Sequence, residues 1–192
     1  MKSMNVLIVG VGGQGTLLAS RVLGAMATVM GADCKLSEVH GMSQRGGSVV
    51  THVRIGSDIA AAIVSPGEAD FVLAFEKLEA LRFSYYVKPD GVILVNDQEI
   101  MPMPVITGAE EYPTDIYERI AAAGHNYFKV PALELAEQAG NSKSVNIVLI
   151  GALAKMNDIP YETVEAAVKA AVPAKFLAVN LKALQLGYNY KA

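Results

Sequence analysis

Apolar residues run without a break where a strand buried on both faces would need them. Met4-Asn5-Val6-Leu7-Ile8-Val9 is short, rich in β-branched residues and closed by glycines, the pattern of a strand inside a parallel sheet. From about Gln14 to Met30 the period changes. Leu17, Leu18, Val22, Met26 and Val29 recur near helical spacing, and Gly31 supplies a C-terminal stop. Cys34 to Val39 reads as a second strand, so the first 39 residues predict one βαβ unit with a right-handed crossover. Ser48 to Ile55 alternates imperfectly and turns at Gly56-Ser57-Asp58. Ile59 to Val64 is expected to return beside it, giving a hairpin excursion.

Further parallel strands are expected at Phe71 to Ala74 and Val92 to Val95, with a helix through the Glu76 to Tyr86 region between them. Residues 101–105 carry Pro102 and Pro104, which lack the ladder donor and confine the segment to an edge or a loop. Tyr127 to Val130 is a late strand candidate, and helices dominate from Pro131 onward. Val145, Val148, Leu149, Ala152, Leu153 and Met156 form an amphipathic stripe. Two more helices follow, one over about 161–171 with Val164 and Val168 on one face, one over about 174–186 with Leu177, Leu181 and Leu184. The expected fold is α/β: a Rossmann-like, mostly parallel sheet with helices on both faces, a hairpin excursion and a helical C-terminal region. No repeat or low-complexity linker divides the sequence, and 192 residues suit one hydrophobic core, so a single domain over 1–192 is expected.

Composition narrows the function classes. An apolar fraction of 52% against 18% charged residues excludes a disordered chain. A net charge of −3 and a pI near 5.6 provide no global field for nucleic acid, so no nucleic-acid partner is expected. Cys34 is the single cysteine, which excludes an intrachain disulfide and any four-thiolate metal or iron–sulfur site built by this chain alone. No apolar run approaches the roughly 20 residues of a membrane-spanning helix, and the apolar start has no plausible signal cleavage site, so a cytoplasmic protein without a membrane partner is expected.

Two segments carry candidate chemistry. Gly10-Val11-Gly12-Gly13-Gln14-Gly15 places G-x-G-x-x-G between a strand and a helix. There the first glycine makes a tight turn, the second admits a phosphate to the backbone, and the third lets helix and strand pack closely. The helix start adds free amides and a positive dipole end. The same glycines could also serve close packing alone. Glu38, 23 positions after Gly15, could hold ribose hydroxyls as in nicotinamide dinucleotide sites, orient Arg45, or face solvent. The loop His40-Gly41-Met42-Ser43-Gln44-Arg45-Gly46-Gly47 sets an imidazole, a hydroxyl, an amide and a guanidinium at the carboxyl end of the second strand, where open α/β sheets bind ligands. Arg45 beside the amides of Gly46 and Gly47 suits a phosphate or a carboxylate. The bland alternative is a surface loop whose arginine pairs with Glu38.

His52 reads as a hydrogen-bonded structural residue and His125 as a turn residue. Three dispersed histidines and one cysteine offer no metal-ligand spacing. Neither a G-x-S-x-G elbow nor a P-loop lysine is present, which disfavours an independent hydrolase or nucleoside triphosphatase. The Tyr85-Tyr86 and Tyr188/Tyr190 pairs read as packing or interface aromatics. No catalytic residue is expected. On the residues alone, a stand-alone NAD(P)-dependent dehydrogenase and a non-enzymatic nucleotide-binding module both stay open.

At Val9 to Thr16, Ser37 to Ser48 and Ser144-Val145-Asn146 the sequence resembles the gamma-type subunits of the 2-oxoacid:ferredoxin oxidoreductases. Pyruvate-type relatives tend to carry Pro-Glu-x-Arg-Gly-Gly where Met42-Ser43-Gln44-Arg45-Gly46-Gly47 stands here, which turns the resemblance toward the indolepyruvate branch. The resemblance implies a heteromeric enzyme that oxidatively decarboxylates arylpyruvates with coenzyme A and ferredoxin. It implies thiamine diphosphate and iron–sulfur clusters in a large alpha partner subunit, with none bound tightly by this chain. Asp90-Gly91 lacks the preceding glycine of a thiamine motif. Carried onto matching positions, Gly10, Gly12, Gly13, Gln14 and Gly15, with Ser43, Gln44, Arg45, Gly46 and Gly47, would line a subunit interface or the coenzyme A approach. A homodimer of the isolated chain is a further possibility, because apolar faces meant for the partner could pair with themselves.

Overall fold

The computed structural model describes residues 3–40 and 47–191. Its first strand, β1 (Met4–Val11), is apolar on both faces because both are covered. Val6 and Ile8 point into one core, Leu7 and Val9 into another. The remaining strands are β2 (Asp33–His40), β3 (Ser48–Gly56), β4 (Ala69–Ala74), β5 (Val87–Asn96) and β6 (Asn126–Val130). They form one sheet in the order β2-β3-β1-β4-β5-β6. Pairs β1–β4, β4–β5 and β5–β6 are parallel, and only β3 runs against the rest.

The helices are α1 (Thr16–Val29), α2 (Lys77–Arg82), α3 (Met103–Ile106), α4 (Ile116–Ala122), α5 (Ala132–Ala139), α6 (Val145–Met156), α7 (Tyr161–Ala171) and α8 (Ala174–Asn189). Residues of α1, α5, α6, α7 and α8 share the core on one face, with Phe71, Leu73 and Leu94 of the sheet. Ala80 of α2 with Ile116 and Ile120 of α4 closes the other face. Among the described residues no helix is long and apolar enough to cross a membrane.

Several expectations need correction. The opening βαβ unit is split: β2 does not touch β1, because β3 lies between them and pairs with both. The hairpin is therefore β2–β3. Ile59 to Val64 forms no strand, since both edges of β3 are already taken. The helix expected through Glu76 to Tyr86 ends at Arg82 and is followed by a 3-10 turn, Ser84–Tyr86. The proline segment closes into the single turn of α3, which tolerates Pro104 within its first turn. Finally, the apolar stripe of 145–156 is too narrow a description, because every residue from Val145 to Ala154 is buried. Gly151 and Asn146 break the stripe but not the burial, and α8 lies across the small glycine position.

His52 reports how the 57–64 segment is held. It is buried, its Nδ1 accepts the Val64 amide (3.2 Å), and its ring meets Tyr86 edge-on. Burial lowers its pKa from the ordinary 6.5. Between the folded value and 6.5 the unfolded chain therefore binds more protons than the folded one, so stability rises with pH across that window. The contribution is complete above about pH 6.5 and is lost as the pH falls through the folded value. Urea midpoints measured from pH 8 to pH 5 should decline more in the wild type than in His52→Gln. Parallel profiles would contradict the assignment.

Candidate functional site

The carboxyl ends of β1, β4 and β5 lie side by side, and the segments leaving these three ends build the candidate site. After β1 the chain turns through Gly12 and Gly13 and enters α1 at Gly15, which takes a left-handed conformation (φ 84°) and offers no side-chain cap. A Cβ on Gly15 would lie 2.8 Å from Asn146 Nδ2, so the glycine is required on both counts. Asn146 Nδ2 donates to the Gly15 carbonyl (3.1 Å), bringing the start of α6 against the turn. Gly10 sits at the end of β1, where a Cβ would meet Gln14 Oε1 and Phe75 Cβ.

Gln14 is occupied at both ends of its amide. Its Oε1 accepts the Val11 amide (2.7 Å) and its Nε2 donates to the Phe75 carbonyl (3.0 Å). It locks the turn to the end of β4 and is a framework residue. The Gly12 amide donates to the Gly47 carbonyl (2.9 Å). That bond ties the exit of the 40–47 loop to the glycine turn, while taking up one amide that would otherwise face a ligand. Ser43, Gln44, Arg45 and Gly46 lie outside the described residues.

Two clefts flank the turn. One, of about 300 Å³, is lined by Gly12, Gly13, Gly15, Thr16, Leu17, Glu38 and Val49. Glu38 thus shares a cleft with the uncapped start of α1, and its Oε2 accepts from Thr51 Oγ1 at 3.4 Å. The other cleft, of about 410 Å³, lies toward α6; Gly13, Gly15, Gln98, Ile100, Lys143 and Asn146 are among its lining residues. Free amides and a helix dipole at the turn suit an anion from either side.

Sequence reasoning missed a buried carboxylate pair at the end of β4. Glu76 and Glu79 are 1% and 2% exposed. Glu76 accepts the Glu79 amide (3.0 Å) as the N-cap of α2, the Ile100 amide (3.2 Å), and the Tyr112 hydroxyl. Burial, and then the Glu76 carboxylate, push the Tyr112 pKa far above its ordinary 10, so the phenol is a donor and no base. Glu79 accepts from Ser48 Oγ (2.5 Å) and from the Arg82 guanidinium (2.7 Å). A carboxylate three residues before another at a helix start is a capping signal that the sequence did offer. Ser48, Ile100 and Tyr112 join only in three dimensions. All these oxygens are engaged within the chain, so the pair holds loops and does not present an acid and a base to either cleft.

Cys34 is half-buried, and burial raises its pKa, which favours the protonated thiol over the nucleophilic thiolate. Among the described residues no three of His, Cys, Asp and Glu gather to hold a metal ion. The geometry suits binding and docking. A family model described as pyruvate ferredoxin/flavodoxin oxidoreductase matches residues 5–190.

The chain belongs to that family.

Within the pyruvate ferredoxin/flavodoxin oxidoreductases, it is 42% identical over 192 aligned residues to indolepyruvate oxidoreductase subunit IorB of Thermococcus kodakarensis, covering 97% of this chain and 95% of that one. It is 29% identical to 2-oxoglutarate synthase subunit KorC of Methanothermobacter thermautotrophicus, over 95% of this chain and 92% of that one. Among solved structures it resembles a keto/oxoacid ferredoxin oxidoreductase gamma subunit from Geobacter sulfurreducens, with TM-score 0.69 and 25% identity over 96% of each chain. It also resembles a 2-oxoglutarate:ferredoxin oxidoreductase from Magnetococcus marinus, solved with 2-oxoglutarate, coenzyme A and succinyl-CoA bound. That match has TM-score 0.72 and 19% identity, and covers 97% of this chain but 30% of the other. The fold class expected from the sequence agrees with these relatives, and the chain is a gamma-type oxidoreductase subunit.

Proposed function

We propose that this chain is the small subunit of an oxidoreductase acting on arylpyruvates, indolepyruvate among them. The complex would release carbon dioxide, pass the electrons to ferredoxin, and form an aryl-acetyl-CoA. The observation that carries the substrate class is the 42% identity to a subunit named for indolepyruvate, against 29% to one named for 2-oxoglutarate. Thiamine diphosphate and iron–sulfur clusters belong to the larger partner in this reading. The sequence has one cysteine, too few for a cluster held by this chain alone, and its Asp90-Gly91 lacks the preceding glycine of a thiamine motif.

What this chain supplies is orientation and charge. The open start of α1, with Gly13 and Gly15, takes a negative group of coenzyme A, and Arg45 with the amides of Gly46 and Gly47 adds a cationic fork. A charge-assisted hydrogen bond contributes about 1.5–3 kcal/mol, so Arg45→Ala should raise the KM for coenzyme A roughly tenfold or more, with a smaller change in kcat. An unchanged KM together with normal assembly would dismiss this role.

The decisive assay co-expresses the chain with its large partner and follows coenzyme A-dependent reduction of a viologen dye. Indolepyruvate should support the highest kcat/KM. A preference for pyruvate or 2-oxoglutarate, or turnover by this chain alone, defeats the proposal. Because Glu38 shares the cleft with the glycine turn, NADH is the control ligand, and its fluorescence should show no saturable change on titration.

A further inference from the structure

We infer that residues 100–106 are an apolar docking knob for the larger polypeptide of the complex, an inference that rests on the reading of this chain as a small subunit. Helix α3 buries none of its residues. Met103 and Ile106, at 63% and 64%, are the most exposed large apolar side chains among the described residues, and Met101 beside them is 42% exposed. A helix of one turn has no stability of its own in water. This one is held by local bonds instead: the Val105 and Ile106 amides donate to the Pro102 carbonyl, and the Ala109 and Glu110 amides to the Pro104 carbonyl.

The knob is also fixed at its base. Glu76 accepts the Ile100 amide on one side and the Tyr112 hydroxyl on the other, so one buried carboxylate grips both ends of the loop. Two prolines stiffen the span between them. Three apolar side chains are therefore presented rigidly to solvent, which lowers the ordering cost of association. The position is not arbitrary. Ile100 lines the cleft beside Gly13 and Gly15, and Met101 and Pro102 border a small pocket with Val11 and Ser48. A partner seated on the knob reaches the glycine turn.

Charge decides between a second copy and a different chain. Asp97 and Glu99 are paired with Lys77, and Asp115 with Arg119. This leaves Glu110, Glu111 and Glu118 without an ion pair among the described residues, and Glu110 and Glu111 beside α3 are exposed. Two-fold self-pairing on the knob would set this acidic rim against itself. The occupant is instead a polypeptide with an apolar socket and a basic rim. The fold of this chain accounts for 30% of the longer Magnetococcus oxidoreductase chain it resembles, so a large polypeptide accompanies this fold in that relative. The larger partner subunit is the corresponding occupant here.

The test uses the full chain co-expressed with its large partner. The double variant Met103→Asp/Ile106→Asp should keep the wild-type far-UV circular dichroism and melting temperature, because neither side chain is buried, yet bind the partner at least tenfold more weakly. Phe176→Asp, at another exposed apolar position on α8, should bind as the wild type does. Wild-type affinity in the double variant, or equal loss in Phe176→Asp, overturns the inference. So does an isolated-chain dimer, seen by sedimentation, that the double variant abolishes, since the knob would then pair copies. Assembly and substrate preference are read separately: a complex that prefers another 2-oxoacid defeats the arylpyruvate proposal, while loss of assembly in the double variant still supports the knob.

Discussion

Gly187→Ala should destabilise the protein by about 3 kcal/mol, at the upper end of what overpacking costs, and lower its melting temperature by roughly 6–12 °C. The added Cβ would overlap the Val148 carbonyl oxygen and lie 2.7 and 2.8 Å from its carbonyl carbon and Cα. These are backbone atoms of α6, so no side chain can rotate away and the two helices must separate. Alanine would otherwise favour the helix by about 1 kcal/mol, and the clash outweighs that gain. Gly24 in α1 is the matched control. A Cβ there meets only Leu36 Cδ1, at 3.7 Å, an ordinary contact, so Gly24→Ala should stabilise by up to about 1 kcal/mol. Opposite signs in the two thermal melts are expected. Equal shifts would show that the α6–α8 approach is looser than the structure has it.

The second large effect is expected at Glu76→Ala. Removing this carboxylate leaves the Glu79 amide, the Ile100 amide and the Tyr112 hydroxyl without their acceptor. Each unsatisfied buried donor costs about 1–3 kcal/mol, and relaxation toward water recovers part of it, so a net loss of about 3 kcal/mol is expected. Tyr112→Phe removes one donor only and should cost about 1 kcal/mol. Because Glu76 holds both ends of the 100–112 segment, hydrogen exchange across that segment should quicken in Glu76→Ala before global unfolding does. Wild-type exchange there, or a Tyr112→Phe loss as large as that of Glu76→Ala, would show that the carboxylate does not anchor the loop.

The elements that could be read from the sequence were those whose signal is local. The glycine turn between β1 and α1, and the helices over 161–171 and from 174 onward, follow from apolar period, turn residues and stop signals within a few positions. Sheet order did not follow, because the alternation of Ser48 to Ile55 is the same whether its neighbours are β2 and β1 or a returning segment at 59–64. Likewise, nothing local marks Gly151 or Gly187, yet at each the backbone of the facing helix occupies the space a side chain would need.

The candidate site divides along the same line. Composition and spacing determined that this is an α/β chain with an anion-suited turn and a single cysteine, too few for a four-thiolate site, since strand and helix patterns and the supply of ligand residues are properties of the chain itself. Tertiary structure alone decided that Gln14 is spent on Val11 and Phe75, that Gly47 returns to Gly12, and that Glu76 gathers Ile100 and Tyr112 under an exposed apolar turn. A buried polar atom must find a partner wherever one lies in space, and with 61 positions between Gln14 and Phe75, no local pattern can announce which partner that will be.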